Sequence, residues 1–306
     1  MNRSGVAALL CPLCAGSFAV DLTAPAKPTA LVCDSGHSFD IAKQGYVNFL
    51  TGPGTRFIPD SAAMAAARDE FLAAGHYLPL AQALATTILA ISPGGGDPLV
   101  VDAGTGTGYY LNQLHRAAAE QTRSLGLANE PAGSAPASIG LDISKFALRR
   151  AARLNPDTVN VVWDVWQPLP IAAGTADVVI VVFAPRNPAE FARILKPRGA
   201  LVVATPLPGH LAEIVGAAGL LGMQEDKQSA LQASLAAHFA PGGITDVAHR
   251  LSLSPEDVFR IALMGPSGHH LDPVQLRDRV AALPQHTEVT ARFRISTFCP
   301  HHTPAT

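Results

Sequence analysis

From Pro98 onward, short runs rich in β-branched residues alternate with Ala- and Leu-rich amphipathic segments. PLVVDAG precedes a helical stretch after Tyr109; SIGLDIS precedes KFALRRAARL; TVNVVWD follows; ADVVIVVFAP precedes PAEFARIL, and GALVVATP precedes HLAEIVGAAGLL. Strands this continuously apolar have both faces buried, so the alternation predicts an α/β fold with a parallel sheet covered by helices on both sides. Two later runs, ITDVAHRLSLS and HTEVTARFRIS, read as further strands flanking the helix PEDVFRIALM and are expected at the far side of the sheet. Residues 121–138 read as a long loop between the first helix and the second strand.

The chain of 306 residues is 48% hydrophobic and only 15% charged, a balance that suits a large packed core and argues against extended disorder. Its formal net charge of −2 excludes a whole-molecule positive field for nucleic acid, so any such partner must meet a local patch. The longest apolar stretch, VVIVVFAP, suits a buried strand and is too short for a bilayer span, and the run Val6 to Leu10 is too short for a signal peptide. A cytoplasmic protein without a membrane partner is expected. Upstream of the alternation, Ser61 is a plausible cap for a helix of about four turns that closes on Gly75 with Pro79 behind it.

VVDAGTGTGYY places Gly104, Gly106 and Gly108 between an apolar strand and a helix, where glycine allows a sharp turn and close approach of a ligand to unsatisfied helix N–H groups. Asp142 ends the second strand and Asp164 the third, at the edge where open α/β sheets bind ligands. Such acids can accept hydrogen bonds from ribose hydroxyls and from an adenine amino group respectively; each can equally cap a following helix. A dinucleotide fold asks for G-x-G-x-x-G, whereas this spacing is G-x-G-x-G after Asp102. It resembles the first motif of class I S-adenosylmethionine-dependent methyltransferases. Asp142 lies 38 residues after Gly104, longer than the roughly 20 usual in dinucleotide folds, and the loop at 121–138 accounts for the excess.

Three of the four cysteines stand within the first 40 residues: Cys11 and Cys14 form C-x2-C, and Cys33 with His37 forms C-x3-H. Together they make the Cys3His set of a closed structural zinc site. A disulfide is disfavoured in a cytosolic chain, and a redox C-x-x-C would not require Cys33 and His37.

The stretches GHSFDIAKQGYVNFL, DSAAMAAARDEFLAAGHYLPL, the glycine loop, FAPRNPAEFARILKPRG and ATPLPGHL follow one another in this order. Over essentially the whole chain they resemble the 23S ribosomal RNA guanine-N1 methyltransferases, the ribosomal RNA large subunit methyltransferase A family. DVWQPLP and VFAPRNPAE look most like the Gram-positive branch that includes the tylosin-resistance methyltransferase, and with it comes the expectation of antibiotic resistance. The resemblance implies a Rossmann-like, mainly parallel seven-stranded sheet and three segments: a zinc-binding, RNA-recognising part at 1–52, a linker and helix at 53–97, and a methyltransferase domain at 98–306. It implies zinc at Cys11, Cys14, Cys33 and His37, and S-adenosylmethionine contacts at Tyr77, Gly106, Thr107 and His210, beside Asp102, Gly104, Gly108, Asp142 and Asp164 from the motif. Without it, Tyr77 reads as a packing aromatic at a helix end and His210 as a helix-capping histidine. The RNA partner rests on the resemblance, since residues 1–60 hold four basic and four acidic side chains; Lys43, Gln44 and Tyr46 are expected to help hold it, and a homodimer is admitted.

FAPRNPAE invites comparison with the Asn-Pro-Pro-Tyr type motif that grips the target nitrogen in amino-methylating enzymes. Asn187, Pro188 and Glu190 also read as N-cap, first turn and capping-box acid, so Arg186 and Asn187 are weak substrate-contact candidates. No residue is marked as the base. A methyltransferase of a small metabolite and a non-catalytic, zinc-stapled RNA-binding protein are the competing readings.

Overall fold

The computed structural model describes residues 1–18, 28–51, 54–91, 98–124, 135–218 and 227–301. At its start, VAALL is built into the fold. Helix α1 (Arg3–Ala8) begins under an Asn2 side chain that accepts from Gly5 N at 2.6 Å, and Leu10 N then donates to Pro170 O at 2.9 Å. Strands β1 (Ala30–Val32) and β2 (Ser38–Asp40) form an antiparallel hairpin. Strand β3 (Tyr46–Asn48) leaves that hairpin and joins the main sheet. Phe18, Phe39 and Phe49 pack ring on ring with centroids 4.8 to 5.9 Å apart, in the same apolar cluster as Val161, Trp163 and Ile171.

The sheet continues through β4 (Leu99–Ala103), β5 (Ala137–Asp142), β6 (Val159–Val162), β7 (Ala176–Val182), β8 (Leu195–Pro206), β9 (Phe239–Leu253) and β10 (Thr287–Pro300). Its order is β3-β6-β5-β4-β7-β8-β10-β9. The six strands from β3 to β8 are parallel, and β10 lies antiparallel between β8 and β9. Every residue of β4 and β6 is buried, as continuous apolar runs require. Seven strands are those the sequence predicts for a class I methyltransferase sheet; the eighth, β3, comes from the cysteine-rich segment. The chain builds outward from β4 to β5 and β6, then returns to place β7 on the other side of β4. This reversal opens a crevice above the carboxyl end of β4.

The helical stretch at 61–80 divides in two. Ser61 caps α2 (Ala62–Ala73) by accepting from Met64 N at 3.2 Å, and the chain turns at Gly75 with φ +85°. A second helix, α3 (Leu78–Ile91), then follows. Pro79, expected as a terminator, stands in the first turn of α3, where its missing N–H costs no hydrogen bond. Helix α4 (Tyr109–Ser124) runs into the segment expected to be loop, and β5 starts at Ala137; residues 125–134 lie outside the described part. Helix α5 (Lys145–Leu154) is capped by Ser144, and α6 (Pro188–Ile194) precedes β8. HLAEIVGAA forms a 3-10 turn and the short α7 (Val215–Ala218), and GLL lies outside the described residues. Helix α8 (Lys227–Leu235) follows, then α9 (Pro255–Met264) with a Ser254–Asp257 capping box, and α10 (Pro273–Ala281). Among the described residues no single helix is long and apolar enough to cross a membrane.

Candidate functional site

The glycine loop sits in the crevice. Gly104 N and Thr105 N both donate to Leu141 O, at 2.8 and 2.9 Å, which ties the loop to the end of β5. Gly106 N donates to Asp142 Oδ2 at 2.9 Å, and the Asp142 Oδ1 accepts from Ser144 N at 2.7 Å. Gly104, Gly106 and Gly108 have φ of +90°, +56° and +80°, a region open to glycine at little cost. A Cβ added at Gly104 would overlap the Cβ of Ala184, and one at Gly108 would stand 2.6 Å from Asn155 Nδ2, which itself donates to Gly108 O. The loop is thus pressed between the end of β7 and the end of α5.

Asp102, Thr105 and Thr107 are buried beside the loop, and Asp102 Oδ2, Thr105 Oγ1 and Thr107 Oγ1 have no hydrogen-bond partner among the described residues. Unpaired buried acceptors and hydroxyls are costly unless a ligand meets them. A cofactor with a cationic amino group and neighbouring hydroxyls fits this set. Burial, with the Asp142 carboxylate adding to it, pushes Asp102 up to about 7; burial also raises Asp142. A buried acid with a raised folded-state value costs stability once it ionises, here about 4 kcal/mol above pH 7. Asp102→Asn is therefore expected to melt above the wild type at pH 8. The gap closes as pH falls from 7 to 4, because the wild-type carboxyl is then neutral folded and progressively neutral unfolded; calorimetric melting in a pH series reads it, and a pH-independent difference would refute the burial cost.

Arg68 was not marked by the sequence. Its Nη1 lies 3.4 Å from where a Gly106 Cβ would stand and 2.6 Å from Asp60 Oδ2, while Nη2 donates to Met264 O at 2.7 Å. It brings a guanidinium over the loop, close enough to favour the ionised form of Asp142. The signal available was one arginine in the alanine-rich run AAMAAARDEF.

Tyr77 and His210 stand on one flank of the crevice and touch each other. His210 Nδ1 accepts from Arg292 N at 3.0 Å, so a neutral ring carries its hydrogen on Nε2, which meets Tyr77 Oη at 3.2 Å. Burial lowers His210 to about 4 and raises Tyr77 well above the usual phenol range. His210 does not cap a helix, contrary to the plain reading of the sequence. Tyr77 does pack as a buried aromatic, 4.8 Å from the Phe293 ring and 6.4 Å from Phe183. Phe183, 44% exposed with φ +56°, is a non-glycine residue in the left-handed region at the end of β7.

Asp164 lies on the other flank. It closes a turn by accepting from Trp166 N at 3.0 Å, and its Oδ2 accepts from Thr55 Oγ1 at 2.7 Å. It borders a cavity of about 460 Å³ shared with Thr55, Arg56, Phe57 and Trp166. No helix follows it directly, so the capping alternative fails there. Asn187 occupies the N-cap position of α6, but its side chain makes no cap: Nδ2 donates to Val165 O at 3.0 Å. Glu190 is no capping-box acid either, since it pairs with Arg193 at 2.6 Å and accepts from Leu169 N. Arg186 is half-buried, which lowers its value, and has no ion pair among the described residues.

Away from the crevice, the ligand atoms of Cys11, Cys14, Cys33 and His37 lie within 4.8 Å of one another. Cys11 Sγ and Cys33 Sγ are 3.6 and 3.5 Å from His37 Nδ1, and Cys14 Sγ is 3.7 Å from Cys33 Sγ. A tetrahedral zinc with bonds of about 2.0 to 2.3 Å has edges of about 3.5 to 3.8 Å, so the set fits the ion. Hydrogen bonding by Ser35, above all, lowers Cys14 to about 6, while burial raises Cys11. Lys43 and Gln44 form the turn that follows, with Tyr46 opening β3.

The family profile described as RlmA, N-terminal, a zinc ribbon, matches residues 9–52. A candidate 23S rRNA (guanine-N(1)-)-methyltransferase of Micromonospora griseorubida is 45% identical across 95% of this chain and 97% of its own. The 23S rRNA (guanine(748)-N(1))-methyltransferase of Streptomyces fradiae is 41% identical across 95% and 96%. The candidate 23S rRNA (guanine-N(1)-)-methyltransferase YxjB of Bacillus subtilis (strain 168) is 32% identical across 67% and 66%.

Proposed function

The chain belongs to the 23S rRNA (guanine-N1)-methyltransferases, and from that membership we propose that it moves the methyl group of S-adenosylmethionine to N1 of a guanine in a hairpin of 23S ribosomal RNA. The observation that carries this is 41–45% identity over 95% of the chain to relatives bearing that activity in their names. The donor supplies an activated methyl group on a sulfonium.

In this proposal Asp102 holds the donor's amino group, Gly104 to Gly108 line its amino-acid end, Asp142 takes the ribose, and Asp164 reads the adenine. Taking the adenine amino group at Asp164 requires a share of the carboxylate that Thr55 now holds, or its second lone pair. Tyr77, fixed by the neutral His210, presents a hydroxyl from the opposite flank. Guanine N1 lies on the pairing edge, so the base must leave its pair to reach the crevice, and holding it in line supplies much of the acceleration. The half-exposed Phe183 ring stands where a flipped base can stack. The N1 proton has to depart, and no base is assigned to it.

We assign RNA recognition to the zinc-ribbon segment 1–52, the connection to 53–97 and transfer to 98–306, in a cytoplasmic enzyme without a membrane partner. Zinc held by Cys11, Cys14, Cys33 and His37 is a closed structural site without an open position for chemistry. Incubation with labelled donor and unmodified 23S ribosomal RNA, followed by mass-spectrometric mapping, is expected to put label on guanine N1. Label on another atom or on a metabolite fraction, with none on guanine N1, would sink the assignment.

A further inference from the structure

Helix α5 carries Lys145, Arg149, Arg150 and Arg153 and no acidic residue along its ten positions, in a chain whose net charge is −2. Arg150 is satisfied by Asp69 at 2.8 Å. Lys145, Arg149 and Arg153 are exposed, and none has an ion pair among the described residues. At four-residue spacing they stand in one row along the helix, on the side opposite the buried Ala147, Leu148, Ala151 and Ala152. Lys145 Nζ and Arg149 Cζ lie 5.5 and 5.6 Å from the centroid of the Phe146 ring, which restrains both stems.

The zinc ribbon packs against the same helix. The position of a Gly45 Cβ is 3.9 Å from Ala152 Cβ, and Tyr46 packs against the cluster of Leu148, Ala151 and Val162. The ribbon turn is thus seated on the buried face of α5, with the exposed Lys43 two residues before Gly45. Like charges in a row repel, by a few tenths of a kcal/mol per pair, and the carboxylate that reaches α5, Asp69, is bonded to Arg150 and not to the row. The exposed acid nearest in sequence, Asp157, lies beyond the end of α5. The row starts at Lys145, next to the Ser144 that bonds Asp142, and runs back about 12 Å to Arg153. It thus begins at the rim of the glycine loop.

We propose that Lys145, Arg149 and Arg153 form the track that grips the phosphate backbone of the substrate RNA and leads it to the methyl-transfer crevice. This rests on the RNA-methyltransferase reading and names the surface that serves it. Sequence balance over residues 1–60 hid the track, because its three cations belong to a helix outside that segment.

The test uses the full-length protein, unmodified 23S ribosomal RNA transcript and two variants, R149A/R153A and R149K/R153K. Filter binding from 50 to 200 mM salt is expected to show the alanine variant roughly tenfold weaker, with the log–log salt slope reduced by about two. The lysine variant keeps the slope, and both variants keep wild-type affinity for S-adenosylmethionine by calorimetry and wild-type zinc content. An alanine variant with wild-type RNA affinity and slope overturns the track. So does one that loses donor binding in parallel, which makes the arginines structural. A wild type that binds the transcript with a steep salt slope but puts no label on guanine N1 overturns the proposed reaction and leaves the track standing.

Discussion

Gly104→Ala is expected to cost at least a hundredfold in affinity for S-adenosylmethionine and in methyl transfer, with the rest of the fold intact. Two independent penalties meet at this position. The backbone φ of +90° is one that an L side chain rarely adopts, and the new Cβ would overlap the Cβ of Ala184 at the end of β7. Left-handed strain is worth about 1–3 kcal/mol and overpacking about as much again. Since roughly 1.4 kcal/mol is a factor of ten, displacement of the loop costs two decades or more. Calorimetry measures the binding, and Ala184→Gly in the same chain separates the causes: it removes the overlap and leaves the strain, so partial recovery is expected. A Gly104→Ala protein that binds donor as tightly as the wild type would show that the loop is not the donor site.

The second large effect is at the zinc ribbon. Cys33→Ser is expected to lose bound zinc and to reduce methylation of 23S ribosomal RNA more than a hundredfold, while donor affinity changes by less than tenfold. Structural zinc contributes on the order of 10 kcal/mol to small folds that depend on it. Without it the β1–β2 hairpin keeps the packing of Leu31 and of the three-ring aromatic cluster but loses the clamp that joins Cys11 and Cys14 to Cys33 and His37. The loss should spread to β3, whose three residues pair with β6 at the sheet edge, and stop there, because the glycine loop is tied to β5 and α5. Metal analysis gives the zinc content, and hydrogen exchange is expected to rise over 30–48 and not over 99–108. Equal collapse of donor binding would mean that the ribbon supports the whole domain.

Much of the crevice was legible because each signal is local. A parallel, twice-covered strand must be apolar along its length, so LVVDA and VVIVV announce themselves. A strand-to-helix turn that approaches a ligand needs glycine, so Gly104, Gly106 and Gly108 are visible before any contact is known. The C-x2-C and C-x3-H pairs are equally local, since each can clamp one edge of a tetrahedron by itself. Residues whose role depends on distant partners were not legible. Arg68 reaches Asp60 and Met264, the latter 196 residues away, and nothing around it in α2 marks it. Asn187 and Glu190 misled for the same reason: their spacing suits a capping box, yet Val165, Leu169 and Arg193 offer other bonds. The break between α2 and α3 escaped because proline reads alike as the end of one helix and the first turn of the next.

By itself, the sequence determined the α/β class, the site of the glycine turn with its attendant aspartates, the Cys3His set that the fold gathers, and the family. These depend on periodicity, on backbone permissiveness and on the donor atoms of side chains, all properties of short stretches. Only the tertiary structure decided that the cysteine-rich segment adds an eighth strand to the sheet, that Tyr77 and His210 hold one another, and that the ribbon turn packs on α5. Each of these joins residues far apart in the chain, and their meeting follows from packing of the whole, which no local pattern encodes.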